Sequence, residues 1–177
     1  MVEMKEDVEF KMGEEVDEEF LEYYSTTMPW RFGPTEEKHI RSDPNHLITW
    51  RLSGRIIGHA IWHESSATEH TPGDKRTEQA ISIHEQLMDR DTEFIELHEL
   101  WLGVDYRGRG YGSAFIDFFE DFMRELGHNE IVHYTDNPSA IALFRIRGYK
   151  EAYGVVDGDN IWNVFYLSLD VDAQSGE

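Results

Sequence analysis

From Leu100 to Ser113 the chain reads Leu-Trp-Leu-Gly-Val-Asp-Tyr-Arg-Gly-Arg-Gly-Tyr-Gly-Ser, an apolar run that breaks into closely spaced glycines. A strand that ends in such a turn and passes at once into a long helix lets successive backbone N–H groups converge without a β-carbon in the way. The exposed N–H groups and positive dipole end of the helix complete an anion site. Arg107 and Arg109 can add charge-assisted contacts to phosphate oxygens. The pattern is not a nucleoside-triphosphate loop, because GxxxxGK[ST] needs a lysine and none lies between Lys75 and Lys150. Nor is it the dinucleotide fingerprint GxGxxG, since Gly108, Gly110 and Gly112 are spaced G-x-G-x-G. Just upstream, Glu96-Leu-His-Glu-Leu100 offers groups that can accept a proton: Glu96, His98 and Glu99. On a regular strand Glu96 and His98 share one face, and Glu99 points the other way.

Thirty residues beyond Arg107 stands a second block, Asn137-Pro-Ser-Ala-Ile-Ala-Leu-Phe-Arg-Ile-Arg-Gly-Tyr149. The two blocks together resemble the GNAT family, the GCN5-related N-acetyltransferases. Its central motif, [RQ]-x-x-G-x-[GA], appears as Arg107, Gly110 and Gly112. Its following motif, N-x-x-A-x-x-x-[YF]-x-x-x-G-[FY], appears as Asn137, Ala140, Phe144, Gly148 and Tyr149. The resemblance covers roughly residues 93–150 by motif. It implies a fold with a central mixed, mostly antiparallel twisted sheet of about six to seven strands, flanked by helices and splayed between the fourth and fifth strands.

The same resemblance implies acetyl-CoA as acyl donor and a primary amine as acceptor: a small molecule, a peptide amino terminus or a protein lysine. In similar proteins the cofactor lies between the fourth and fifth strands. Carried over, the backbone of Arg107, Gly108, Arg109, Gly110, Tyr111, Gly112 and Ser113 would hold the pyrophosphate. Leu100 and Leu102 would offer backbone groups to the pantetheine arm. Asn137 falls where the family often meets that arm, and it equally suits a helix start before Pro138. Glu96, eleven residues before Arg107, has the spacing of the base glutamate in the histone-acetylating branch, so the order of candidates is Glu96, His98, Glu99. Phe144 departs from the pattern: many relatives carry there a tyrosine that would protonate the leaving thiolate, and phenylalanine has no proton to give. Tyr149 and Tyr153 are near in sequence, with Tyr149 matching a core aromatic position. Val104 stands where a proline is usual. A module with the same fold that binds CoA without turnover is the alternative reading.

Other constellations are weaker. His59 and His63 share a strand face, yet residues four apart on a strand are roughly 13 Å apart and cannot grip one ion. HExxH is absent, and no metal is expected. No nucleophile elbow supports hydrolase chemistry. The aromatic residues Trp50, Trp62 and Trp101 read as core, whereas Met28-Pro29-Trp30-Arg31-Phe32 sits where relatives cover the acceptor pocket.

The elements that must position these residues follow from hydrophobic period and punctuation. Val8, Phe10 and Met12 alternate as a strand. Asp17 caps a helix bearing Phe20, Leu21 and Tyr24, and a short helix covers about 35–42. Residues 45–51 and 56–62 form a hairpin around Ser53-Gly54. Residues 65–75 are expected as a loop, and 76–89 has weak helical period; the 65–90 stretch is either a substrate-contacting insertion or scaffold. A strand at 93–102 leads to a helix at 110–126 with Phe115, Phe118, Phe119, Phe122 and Met123 on one stripe. Gly127 stops it. A strand at 130–135, a helix at 139–147 ended by Gly148, and strands near 149–156 and 161–169 follow. This is an α/β (α+β) pattern, expected as a single domain over 1–177.

Composition narrows the partners. Thirty-six acidic against 16 basic residues give a formal charge of -20, which disfavours nucleic-acid backbones and anionic membrane surfaces. There is no cysteine, which excludes disulfides, thiolate metal sites and cysteine nucleophiles. No apolar run approaches a membrane span, and the acidic amino terminus is unlike a signal peptide, so a cytoplasmic chain is expected. Only five lysines accompany eleven arginines. Few lysines among many acids resemble the surfaces of salt-accumulating microbes, where concentrated salt screens self-repulsion. Dimerisation is common in similar proteins, and no sequence feature names an interface.

Overall fold

Strand and helix periods in the sequence reappear in the computed structural model, which describes residues 7–66, 85–89, 92–157 and 160–169, with backbone alone at 153–157 and 160–162. In chain order the elements are β1 (Glu9–Met12), α1 (Glu18–Thr27), α2 (Pro34–Ser42), a 3-10 turn (Pro44–His46), β2 (Leu47–Leu52), β3 (Arg55–Ser66) and β4 (Glu93–Leu102). There follow a 3-10 turn (Val104–Tyr106), α3 (Tyr111–Glu125), β5 (Glu130–Thr135), α4 (Pro138–Ile146), β6 (Lys150–Asp157) and β7 (Asn160–Ser168). The strands run in the order β1-β2-β3-β4-β5-β7-β6. The chain divides into two compact units, Met1–His63 with His98–Phe118, and Glu64–Leu97 with Phe119–Glu177.

In the first unit β1, β2 and β3 pair antiparallel. Asp17 caps α1 by accepting from Phe20 N at 2.9 Å. That cap turns Phe20 and Tyr24 into a core with Met28, Ile40, Leu47, Ile56 and Ile61, against which Trp101 packs. Leu21, expected on the same stripe, is 43% exposed; at one residue past Phe20 it falls about 100° around the helix, off the buried face. Trp50 is buried and stacks on Phe115 at 4.5 Å. Gly58 is where β3 passes closest to its neighbours: a β-carbon there would lie 2.8 Å from the Trp101 carbonyl oxygen and 2.9 Å from the Trp50 ring.

In the second unit β4 pairs parallel with β5, through Ile95–Leu97 and Ile131–His133. β4 itself runs on to Leu102 and β5 to Thr135. β5 and β6 both pair antiparallel with β7. Phe94, Val132, Ala152, Val164 and Tyr166 make the core here. Phe144 is fully buried among His133, Tyr149 and Phe165, with ring centroids 4.9, 4.8 and 5.4 Å away.

Two boundaries differ by more than one residue from the sequence reading. Pro44–His46 is a 3-10 turn ahead of β2, because the Asp43 side chain caps it at Asn45 N. β3 continues through Ser65 and Ser66, where a loop was expected. Residues 67–84, which carry most of the expected loop and helix, lie outside the described residues. Among the described residues, no helix is long and apolar enough to cross a membrane.

Candidate active site

The glycine turn forms as its sequence requires. Gly108 and Gly110 take φ of +75° and +89°, a region a β-carbon penalises. The Gly110 carbonyl then accepts the first helical bond of α3 from Ala114 N at 3.1 Å. Helix geometry leaves the N–H groups of the preceding residues without an intrahelical acceptor, directed out of the helix head. Arg107 braces the turn from within. Its Nε donates to the Leu102 carbonyl at 2.9 Å, and its guanidinium lies 4.9 Å from the Trp101 ring centroid. Arg109 lies over Tyr106 at 5.9 Å. Backbone donors beside two arginines have the chemistry that a phosphate requires.

Immediately upstream, β4 delivers its polar groups to one place. Glu99 is buried, and both of its oxygens are engaged: Oε1 with His59 Nε2 at 2.5 Å, Oε2 with the Tyr24 hydroxyl at 3.0 Å. Tyr24 in turn accepts from Trp30 Nε1 at 2.9 Å, and the Tyr23 hydroxyl meets His59 Nδ1 at 2.9 Å. With Glu99 ionised, every donor has a direction: Trp30 to Tyr24 to Glu99, and Tyr23 to His59 to Glu99. Burial and the Glu99 charge push both tyrosines up, so they stay protonated donors.

His98 stands next to Glu99 but answers to α2. Its Nε2 is 3.8 Å from Glu36 Oε1, and hydrogen bonding to His98 holds the Glu36 carboxyl below its ordinary range against its partial burial. The other Glu36 oxygen accepts from Gly33 N at 3.1 Å, closing a capping box. The expected opposition of His98 and Glu99 is therefore not kept. A ligating atom from each of Glu36, His98 and Glu99 lies within 4.8 Å of the others, although Cβ directions alternate along the strand. Glu96, ranked first by spacing, belongs to the second unit, where it is buried and its charge adds to the burial that pushes Tyr134 up.

The histidines assemble across elements rather than along one strand. His63 meets not His59 but His39 of α2, ring on ring at 3.9 Å, and His98 at 5.5 Å. Sequence reasoning missed His59, Tyr23, Tyr24, Glu36 and His39 as site residues. Their partners are remote in sequence, and only the i, i+3 spacing of Glu36 and His39 on a short helix was readable.

Among the remaining expected residues, Leu100, Leu102, Gly112 and Ser113 are half-buried and Tyr111 is buried. Asn137 caps α4 by accepting from Ser139 N at 2.9 Å and Ala140 N at 3.4 Å. Tyr149 donates to Glu120 Oε1 at 3.4 Å, and burial with that charge pushes it up. The Tyr153 side chain lies outside the described residues.

With the turn, helix head and polar strand end in place, the chain can be compared with known proteins. The sequence profile of the Acetyltransferase (GNAT) family matches residues 10–149. The chain belongs to the GNAT acetyltransferase family. An agmatine N-acetyltransferase structure is 15% identical with a TM-score of 0.66, covering 92% of this chain and 100% of that one. The Drosophila melanogaster polyamine N-acetyltransferase gives 14%, 0.63, 92% and 100% in the same terms. Arabidopsis thaliana NAA60 in complex with acetyl-CoA gives 15%, 0.61, 92% and 99%. At such identities the likeness is one of fold. No curated protein sequence matches the chain closely enough to be called a relative. The fold expected from the resemblance is present in a parallel β4–β5 pair and in a glycine turn that leads from β4 into α3.

Proposed function

We propose that this GNAT chain transfers an acetyl group from acetyl-CoA to a primary amine, with Glu99 as the proton acceptor. The observation that carries the reading is the join, within one compact unit, between the Glu99 cluster on β4 and the glycine turn at the head of α3. Backbone N–H groups from 108 to 113, with Arg109 beside them, would hold the CoA pyrophosphate. Arg107 acts mainly as the brace of that turn. Leu100 and Leu102 line the strand edge along which the pantetheine arm would run. Asn137 serves as a helix cap, and Phe144 as core.

An amine resembling a lysine side chain is neutral in roughly one molecule in a thousand at neutral pH, a cost of about 4 kcal/mol. A base offsets part of it. The neutral amine attacks the thioester carbonyl, the C–N bond forms, the C–S bond breaks and CoA leaves as thiolate. Glu99 takes the amine proton directly or through one water. His59 then lets the network readjust, because imidazole can exchange which nitrogen carries hydrogen. Glu36 and His98 flank the same place, and their negative and polar character favours a cationic acceptor. The half-exposed Trp30, 49% accessible, offers an aromatic face to it. Agmatine and polyamine acetyltransferases among the structural neighbours support small cationic amines as the first acceptors to try. Peptide amino termini come next.

The family profile runs through both units, which supports one working domain over 1–177. The charge of -20 and scarcity of lysine support work in concentrated salt in a cytoplasm.

The test is thermal unfolding in molar KCl with and without acetyl-CoA, for the wild type and Gly112→Trp. Gly112 lies inside α3, so an added side chain obstructs the turn without the strain that φ of +89° would impose at Gly110. Acetyl-CoA at a hundred times Kd should stabilise the wild type by about 2.7 kcal/mol, and the variant much less. CoA release with an amine panel then reads transfer. A well-folded wild type with neither response removes the enzyme reading.

A further inference from the structure

His39, His63 and His98 come from three different elements, α2, β3 and β4, and a ligating atom of each lies within 4.8 Å of the other two. The His39 and His63 rings are stacked, 2° from parallel, with His98 tilted against both at 5.0 and 5.5 Å. All three are half-buried. We propose that these three histidines bind one divalent transition-metal ion of the zinc class.

Imidazole is the ligand such ions prefer among nitrogen donors, and three of them with one open position make a four-coordinate site. Tetrahedral coordination at about 2.0–2.1 Å brings ligand nitrogens to about 3.4 Å from one another. The present spread must therefore close by roughly 1.4 Å at most, and the stacked pair must fan apart. Half-exposed rings reach that by side-chain rotation without moving the backbone.

A second observation points the same way. Glu36 Oε1 faces His98 Nε2 at 3.8 Å, while Oε2 is anchored on Gly33 N. A fixed carboxylate behind a ligating imidazole sets its ring orientation and raises its basicity. Glu36 and His39 are three residues apart on α2, on one face. His59 is not part of this group, since both its nitrogens are committed to Tyr23 and Glu99. His46 points its Nδ1 at the His39 carbonyl instead.

The test uses the metal-stripped full chain, free of any added histidine tag, and does not rely on transfer activity, because His98 also borders the acceptor site. Titration with Co2+ should give visible d–d bands that saturate at one equivalent and bleach on adding Zn2+. Zn2+ should also raise the unfolding midpoint by mass action. His39→Gln and His63→Gln should each weaken Zn2+ by about a hundredfold or more, and Glu36→Gln by about tenfold to a hundredfold. His128→Gln, outside the cluster, should bind as the wild type does. Absence of a saturable band in the wild type overturns the proposal whatever the variants do. So does a band that survives in both folded histidine variants.

Discussion

Two buried glutamates, one in each unit, show how partners decide what a carboxylate can do. Glu120 meets the Arg147 guanidinium at 2.9 Å and the Tyr149 hydroxyl at 3.4 Å. Glu99 meets His59 at 2.5 Å and Tyr24 at 3.0 Å. Arginine does not give up its proton, so the donors to Glu120 are fixed and its role is to fasten α3 to the residues after α4. Every partner of Glu99 is neutral or can be, so a proton arriving there can be shared and passed on. Equal burial therefore hides opposite roles. On the proposed mechanism the first glutamate is a bolt and the second a place for exchange.

The sharpest way to break this comparison is to remove both charges in parallel. Glu99→Gln should lower kcat by about a hundredfold to ten-thousandfold, the range of a positioned base, with a modest change in Tm. Glu120→Gln should do the reverse. Loss of a bond to a charged group costs about 2 kcal/mol, which for a chain this size lowers Tm by about 4–8 °C, with kcat within a few-fold of wild type. Equal kinetic loss in both would erase the distinction.

A smaller effect sharpens it. Tyr23→Phe leaves His59 Nδ1 without its donor, so kcat should fall about threefold to tenfold and the pH profile should move. Tyr149→Phe loses only a 3.4 Å bond and should cost under about 1 kcal/mol in unfolding experiments, with no kinetic change.

The smallest effects concern acid. Hydrogen bonds from Arg145 and Asn163 outweigh burial and hold Glu151 below the usual carboxylate range. At Glu14 burial pushes upward, yet bonds from Arg51 and Thr49 win and the net shift is also downward. Each group binds fewer protons folded than unfolded near its titration. Its stabilisation is therefore present above the unfolded pKa of about 4.3 and is lost as pH falls through the lower folded value. Urea midpoints measured from pH 6 to 3 should fall. Arg145→Met should flatten that fall slightly, and unchanged curves would remove the pairing from the stability account.

Most of the fold could be read from the sequence, since period and punctuation are local properties. β4 and β5 match their expected ranges end for end, and α3 differs by a residue at each end. The glycine turn was readable for the same reason: its chemistry lies within consecutive residues. The Glu99 network was not. Tyr24 and Glu99 are 75 residues apart and His59 and Glu99 are 40 apart, so no window of sequence contains the pair. Strand alternation did not anticipate that His98 and Glu99 each bring a ligating atom near Glu36, because it governs where Cβ points and not where a side chain ends. The histidine cluster failed for a related reason. Spacing along one strand correctly separated His59 from His63, but it says nothing about His39 arriving from a helix.

Gly58 has a consequence for anyone diversifying this scaffold. Its missing β-carbon leaves room for the Trp101 carbonyl, and the Trp101 ring in turn lies beneath Arg107 at the glycine turn. One added methyl group would be felt at the glycine turn, though position 58 lies on a different element. Random libraries selected for turnover should therefore come back depleted at that codon, and a designer guided by distance from the reaction alone would wrongly leave it open to change.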